Sequence, residues 1–218
     1  MLFDVAAARL SALPDPLPEP AAVMMPVVIG ESVRLPATPR AGRTGRPAAV
    51  LVLLYPDSDG EARVVLIERT TGDGHHSGEV SFPGGKAEPD DADAAATALR
   101  EATEETGLDL DTAGVTVVGA LDPVFIPVSD FRIDPIVAVA ERAPVLRPNP
   151  SEVARILTPP VSAFLPDADV EIVERTIRDW PLRYGGYRID GLHVWGATAR
   201  ILGQLGAVLG EAANTDLL

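Results

Sequence analysis

The feature that most constrains the fold is an uninterrupted apolar run at residues 48–55 (AAVLVLLY). Such a run predicts a buried strand, and the sequence PDSDG at residues 56–60 predicts the turn that ends it. Residues 64–69 (VVLIER) follow as the predicted hairpin partner of this strand. Because 46% of the residues are hydrophobic and 23% are charged, the chain has enough apolar material to fold around a core.

The elements that follow are a helix, several strands and a last helix. A helix is predicted at residues 92–106, with Asp91 or Asp93 as its N-cap and Gly107 just beyond its end. This order predicts an α/β fold, with helices packed on a mixed central sheet. Residues 1–46, which are rich in proline, are predicted to form an N-terminal extension that is partly loop, and residues 47–218 the main domain. Further strands are predicted at 115–121, 131–140, 153–156, 170–175 and 182–187, and a last helix at 194–211.

The charge and composition exclude several classes of function. With 18 Lys and Arg against 32 Asp and Glu, the net charge of −14 argues against a nucleic-acid partner, which needs a basic surface. The absence of cysteine excludes disulfides, thiol nucleophiles and Cys-ligated zinc. No stretch approaches the roughly 20 apolar residues that cross a bilayer, and no targeting signal is apparent. We therefore expect a cytoplasmic protein without a membrane partner, in which residues 1–46 and the last helix are candidates for a homodimer contact.

Three glutamates, Glu101, Glu104 and Glu105, share one face of the predicted helix because residues three and four apart lie together. Their mutual repulsion destabilises an isolated helix by roughly 0.2–0.5 kcal/mol per pair. A hard divalent cation prefers oxygen ligands and cancels that repulsion. The sequence FPGGK at residues 82–86 directly precedes the helix, and its Gly-Gly turn lets the backbone approach a ligand closely. These residues together predict a metal site.

Residues 84–108 resemble the Nudix box, G-x5-E-x7-R-E-U-x-E-E-x-G-U, in which U is aliphatic. The second half of the box is REATEETGL at residues 100–108. The first half departs from the pattern, because counting back from Arg100 places the early glutamate of the box on Ala92 and its first glycine on Lys86. One extra residue therefore separates Gly85 from Arg100.

The coenzyme A diphosphatase branch of the Nudix hydrolases shares this spacing. Its pattern FPGGK-x-D-P-x-D followed by TALREA is similar to residues 82–91 and 97–102. Its upstream pattern, L-x-x-R-S-x-x-L-R-x-H-x-G-E-[VI]-x-F-P-G-G, is largely matched from Leu66 onward. The Leu-Arg pair of that pattern is Asp73-Gly74 here, which removes an arginine able to contact phosphate and bears on coenzyme A specificity.

The resemblance implies a Nudix-type α/β/α sandwich and a metal-dependent hydrolase. The implied reaction cleaves the diphosphate of coenzyme A or acyl-CoA to 3′,5′-ADP and 4′-phosphopantetheine or its acyl form. One alternative is a Nudix diphosphatase of another nucleoside diphosphate derivative, such as ADP-ribose, a dinucleoside polyphosphate or a nucleotide sugar. A second is a non-catalytic Nudix-fold nucleotide-binding module, against which the intact box glutamates and Arg100 argue.

The resemblance also implies roles for individual residues. It places Mg²⁺ or Mn²⁺ on the Gly85 carbonyl and on Glu101, Glu104 and Glu105, and it has Arg100 pair with a box glutamate and orient the helix. The general base is either Glu105 or a glutamate of a distant loop, for which Glu152 is the candidate. Glu79 is a further candidate metal ligand, and Trp180 and Trp195 are interpreted as core anchors rather than as adenine-stacking rings. The candidates for contacts with substrate phosphates are Arg69, His76 and Lys86.

Overall fold

Runs of strands are separated by helices in the computed structural model, which describes residues 1–30, 44–71, 78–127, 129–177 and 180–210. Short 3₁₀ turns lie at Ala22–Met24 and Val161–Phe164. None of the helices in these described segments is both long and apolar enough to cross a bilayer. The α-helices are α1 (Phe3–Leu10), α2 (Ala94–Thr106), α3 (Leu110–Ala113) and α4 (Gly196–Gly210).

The strands of the described residues form three sheets. The predicted strand at 131–140 has the predicted bounds, and those at 115–121, 153–156, 170–175 and 182–187 are found with shifted ends. The strands are β1 (Val27–Val28), β2 (Arg46–Pro56), β3 (Ala62–Val64), β4 (Leu66–Arg69), β5 (Val80–Ser81), β6 (Gly84–Lys86), β7 (Val115–Ala120), β8 (Val124–Ile126), β9 (Phe131–Ala140), β10 (Val153–Leu157), β11 (Glu171–Ile177), β12 (Trp180–Ile189) and β13 (Leu192–Val194).

The central sheet is mixed, as predicted. Its strand order is β3-β2-β9-β7, with β6 also paired to β2 and β8 to β9. Strands β2 and β9 are parallel, in register from Arg46 opposite Phe131 to Leu54 opposite Val139, and the other pairs are antiparallel. A small sheet has the order β10-β4-β5, and another has the order β1-β12-β11 with β13 on β12.

Strand β2 is buried on both faces, which explains its unbroken apolar sequence. Leu51 and Leu53 pack in one cluster with α2, and Val52 and Leu54 pack in another with α1 and α4. Successive side chains of a strand point to opposite faces, so each face of the sheet needs its own helix layer. Fully burying each leucine stabilises the fold by roughly 2 kcal/mol. The predicted α/β/α sandwich is confirmed.

The predicted hairpin of residues 48–55 with residues 64–69 is correct only at its base. Antiparallel pairing runs from Leu54 opposite Val64 to Pro56 opposite Ala62, and then β4 leaves β2 and pairs with β5 and β10. The reason is that β6 occupies the same edge of β2 further along, opposite Ala48 to Val50. Residues 62–64 therefore form a strand of the central sheet, and residues 66–69 directly after them form a strand of the small sheet.

Residues 1–30, part of the predicted extension, pack on the same core as the rest of the chain. The Phe3 backbone N–H donates to the Gly60 carbonyl at 2.9 Å, and Leu10 of α1 and Met24 are buried. The Arg9 guanidinium donates to the carbonyl of Leu209 in α4. The N-terminal helix therefore covers one face of the central sheet together with α4.

The packing of α4 generates a prediction about two of its glycines. A Cβ added at Gly206 would overlap the carbonyl oxygen of Phe164, whereas one at Gly203 would meet only side-chain atoms, the nearest at 3.3 Å. Alanine gains about 1 kcal/mol of helix propensity at either site. We expect Gly206→Ala to lower the free energy of unfolding by about 2 kcal/mol through overpacking, and Gly203→Ala to change it by less than about 1 kcal/mol. Urea denaturation of both variants measures the difference, and equal stabilities would contradict the close helix approach.

Candidate functional site

Helix α2 presents its glutamates toward the Gly-Gly turn. It begins at Ala94, two residues later than predicted, because the Asp93 side chain accepts a hydrogen bond from the Ala96 N–H at 2.8 Å. It ends before Gly107, as predicted. Ala98 and Ala102 are buried against the central sheet, and this packing fixes the direction of the glutamate face.

Glu105 is the buried member of that face, with 1% of its side chain exposed. Its Oε2 accepts a hydrogen bond from the Gly84 N–H at 2.9 Å, and its Oε1 accepts one from Nη1 of Arg69 at 3.1 Å. Burial raises the pKa of Glu105 to about 7, and the two donors oppose this rise. The helix, the Gly-Gly turn and the end of β4 therefore meet at one carboxylate.

Glu101 lies directly against the Gly-Gly turn. A Cβ added at Gly85 would lie 2.5 Å from Cδ of Glu101, so a larger residue would displace this carboxylate from the turn. Burial raises the pKa of Glu101, and the Arg100 guanidinium opposes that rise. Glu104, in contrast, points outward with 57% of its side chain exposed. The three glutamates thus lie in three different environments.

Arg100 connects the glutamates to the segment before the helix. Its Nη1 lies 3.1 Å from Oε1 of Glu101 and 3.4 Å from Oε2 of Glu104. Its Nη2 donates to the carbonyl of Lys86 at 3.1 Å. The same guanidinium binds Asp91 through two hydrogen bonds of 3.0 Å each. This pairing holds the pKa of Asp91 far below its usual range.

Asp91 is the partner of Arg100 that the sequence analysis missed, since it was considered as a helix cap and as the last position of the branch pattern but was given no role in the site. Its Oδ2 also accepts from the Glu88 N–H and from Oγ1 of Thr97, each at 2.8 Å. It therefore supplies a carboxylate to Arg100. The box pattern places a glutamate at the next position in the sequence, which is Ala92 in this chain. The available signal was an acidic residue one position before that expected glutamate.

A distant loop brings a fourth glutamate to the site. The Asn149 N–H donates to the carbonyl of Glu105 at 2.9 Å, and the carbonyl of Glu152 accepts from the Thr70 N–H at 2.9 Å. These bonds tie residues 149–152 to the end of α2 and to the segment after β4. The exposed Glu152 carboxylate lies close enough to raise the pKa of both Glu101 and Glu105.

The remaining predicted residues are placed as follows. Arg69 contacts Glu105 and is one-third exposed, and the exposed Lys86 lies in β6. Glu79 accepts the Arg69 N–H through its carbonyl and lies near Tyr184, whose pKa it helps to raise. His76 and the Asp73-Gly74 pair lie outside the described residues. Trp180 is 49% exposed, so its interpretation as a core anchor was wrong.

The arrangement is an anionic surface that fits a cation. The charges of Glu101 and Glu152 raise the pKa of Glu105, the charge of Glu152 also raises the pKa of Glu101, and Gly85 keeps the turn close to a carboxylate. Within the described part of the chain, no three acidic or histidine side chains are already gathered as a ligand set. The carboxylate oxygens instead contact Arg100, Arg69 and the Gly84 N–H. Oxygen donors of this kind are those that hard divalent cations prefer.

The comparison with protein families agrees with this geometry. The model of the NUDIX domain matches residues 45–179. The chain belongs to the Nudix family. Nudix enzymes generally use divalent metal ions, which accords with the oxygen-rich face of α2.

Several curated proteins are similar to this Nudix chain. Nudix hydrolase 15, a mitochondrial protein of Arabidopsis thaliana, is 39% identical over 173 residues, which are 75% of this chain and 59% of that protein. The Nudix hydrolase NudL of Photorhabdus laumondii is 33% identical over 174 residues, 79% of this chain and 90% of that protein. The human mitochondrial coenzyme A diphosphatase NUDT8 is 36% identical over 140 residues, 64% of this chain and 56% of that protein. The chain thus spans little more than half the length of some curated relatives.

The buried Glu105 generates a prediction about stability against pH. Its pKa is about 7 in the folded protein against an ordinary 4.5, so the folded state binds the proton more tightly than the unfolded state. Its contribution is therefore greatest below pH 4.5 and is lost as the pH rises toward 7. As the pH rises from 4.5 to 7 in metal-free buffer, the free energy of unfolding of the wild type should fall by about 3 kcal/mol more than that of Glu105→Gln.

Urea denaturation at either end of this range measures the two proteins. Glu88→Gln, which alters an exposed carboxylate before the helix, is the matched control and should keep the wild-type pH dependence. If Glu105→Gln loses as much stability as the wild type, the raised pKa is wrong.

Proposed function

We propose that this protein hydrolyses the diphosphate of coenzyme A or of an acyl-CoA, releasing 3′,5′-ADP and 4′-phosphopantetheine or its acyl form. The observation that carries this proposal is the placement of Glu101 and Glu105 at the Gly84-Gly85 turn, with Glu152 close enough to raise the pKa of both. A diphosphate is itself anionic, so an anionic surface binds it only through cations. The box spacing of the coenzyme A branch and the similarity to NUDT8 support the substrate class.

The proposed cofactor is Mg²⁺ or Mn²⁺, held by the carbonyl of Gly85 and by Glu101, Glu104 and Glu105. When bound, such ions neutralise the diphosphate and lower the pKa of a water molecule. Arg100, fixed by Asp91, positions Glu101 and the Lys86 carbonyl relative to each other. Lys86, Arg69 and His76 are proposed to contact the substrate phosphates, since cationic side chains bind phosphate oxygens.

The proposed reaction adds the oxygen of water to one phosphorus atom and breaks its bond to the bridging oxygen, which leaves with the other phosphate. The water proton must pass to a base. Both oxygens of Glu105 already accept hydrogen bonds, whereas the Glu152 carboxylate is exposed beside them. We therefore favour Glu152 over Glu105 as the general base and assign Glu105 to metal binding.

Location and assembly stay predictions. A cytoplasmic location is still our proposal, although the names of the Arabidopsis thaliana and human relatives place those proteins in mitochondria. Because α1 packs on α4, a homodimer through residues 1–46 and α4 would have to use the parts of these surfaces that the contact between α1 and α4 leaves exposed.

The substrate class is tested by measuring kcat/KM with Mg²⁺ or Mn²⁺ for coenzyme A, acetyl-CoA, ADP-ribose, NADH and a dinucleoside polyphosphate. We expect coenzyme A or acetyl-CoA to give the highest value, with 3′,5′-ADP identified by chromatography of the products. Preferential turnover of another member would favour the alternative, a Nudix diphosphatase of a different nucleoside derivative. No turnover of any member would favour the non-catalytic binding module.

Glu104→Gln serves as the inactive protein in this panel. Because the Glu104 side chain is 57% exposed, its loss should leave the thermal unfolding curve unchanged while it removes detectable turnover. Glu88→Gln is again the matched control and should retain activity. A fully active Glu104→Gln protein would contradict the proposed metal site.

The base assignment gives a separate prediction. General bases contribute roughly 10²- to 10⁴-fold to a rate, so Glu152→Gln should lower kcat by about 100-fold or more at nearly constant KM. Steady-state kinetics on the best substrate of the panel measures this effect, with Glu141→Gln, another exposed carboxylate, as control. A near-normal kcat in Glu152→Gln would contradict this assignment and favour Glu105 as the general base.

A further inference from the structure

One face of the β11–β12 hairpin carries aromatic rings and a cation. The rings of Tyr184 and Trp195 stack with centroids 5.3 Å apart and an interplanar angle of 29°. In the antiparallel register Val173 lies opposite Tyr184 and Arg175 opposite Leu182, which places Arg175 diagonally next to Tyr184 on the same face. Burial raises the pKa of the Tyr184 phenol, and the nearby Arg175 guanidinium opposes this rise.

Arg175 differs from the other arginines of this hairpin. Arg183 forms an ion pair with Glu174, and Arg188 pairs with Glu171. Arg175 is exposed, and no carboxylate in the described segments forms an ion pair with it. In a protein with a net charge of −14, a guanidinium without a carboxylate partner in the described segments, lying beside stacked rings, is a local site of positive charge. This combination can bind an anion attached to an aromatic group.

The aromatic face lies beside the candidate active site. Strand β13, which leads into Trp195, contacts β5, and Oγ1 of Thr198 donates to the carbonyl of Val80 in β5 at 3.1 Å. Strand β5 in turn pairs with β4, whose last residue Arg69 reaches Glu105. The Arg69 N–H also donates to the carbonyl of Glu79, which lies near Tyr184, so the rings are linked to the arginine at the buried glutamate through β5 and β4.

We propose that Arg175, Tyr184 and Trp195 form the subsite for the phosphorylated adenosine half of the substrate, with the purine stacked on Trp195 and the ribose phosphate bound by Arg175. Aromatic side chains bind bases by stacking without regard to sequence, and a guanidinium binds phosphate oxygens through two parallel hydrogen bonds. The ligand class rests on the proposed function, because coenzyme A carries a phosphate on the ribose that most other nucleoside diphosphate derivatives lack. The subsite would thus select for that phosphate.

The chain contains only two tryptophans, which allows a direct binding experiment. In a Trp180→Phe protein, Trp195 is the sole tryptophan, and its fluorescence is titrated with 3′,5′-ADP and with 5′-AMP. We expect both nucleotides to quench the fluorescence, and 3′,5′-ADP to bind more tightly. Adding Arg175→Ala should raise the Kd of 3′,5′-ADP by about tenfold, because the hydrogen bonds from Arg175 to the charged ribose phosphate are lost. The Kd of 5′-AMP, which lacks that phosphate, should stay unchanged.

Arg183→Ala in the same background is the matched control, since Arg183 lies on the opposite face of the hairpin and is paired with Glu174. It should leave both dissociation constants unchanged. Absence of quenching, or an Arg175→Ala protein that binds 3′,5′-ADP as tightly as its parent, would overturn the subsite. Because binding needs no turnover, tight binding of 3′,5′-ADP without hydrolysis of coenzyme A would overturn the proposed function alone.

Discussion

The buried carboxylate of Glu105 is the point on which the candidate site depends. Its two oxygens accept hydrogen bonds from the Gly84 N–H and from Arg69, and its backbone carbonyl accepts one from Asn149. One residue thus joins α2, the Gly-Gly turn, the end of β4 and the loop that carries Glu152. A buried carboxylate without such partners would be costly, because burial penalises its charged form. The partners hold it in place, and a bound cation would offset the repulsion from Glu101 and Glu152.

Arg100 provides the second constraint. Its guanidinium binds Asp91, Glu101 and the Lys86 carbonyl together, so the segment between the turn and the helix has one arrangement relative to the glutamate face. The extra residue in the first half of the box is accommodated because Asp91, rather than a residue at position 92, supplies the carboxylate. The contact between Asp91 and Arg100 therefore compensates for the departure from the family pattern before Arg100.

Much of the architecture was predictable from local patterns. The apolar run of β2, the caps of α2 and the order of strands and helices identified an α/β fold with a mixed sheet, because each depends on residues near one another in the chain, and the resemblance to the Nudix box added the α/β/α arrangement. The hairpin was misjudged because the edge of β2 is shared with β6, a competition invisible to periodicity. Trp180 was misjudged for a related reason, since its large apolar ring predicts burial although the hairpin of β11 and β12 leaves it half exposed.

The sequence by itself determined the chemical type of the site, because the spacing of three glutamates on one helix and the glycines before it depend only on local geometry. Only the tertiary structure decided which carboxylate is buried, which arginine meets it and which distant glutamate joins it. Those outcomes depend on packing between segments that are far apart in the sequence. Arg69 precedes α2 and Glu152 follows it, yet both lie near Glu105 in the folded protein. Burial and neighbouring charges set the pKa of Glu105, and neither is encoded in its immediate sequence.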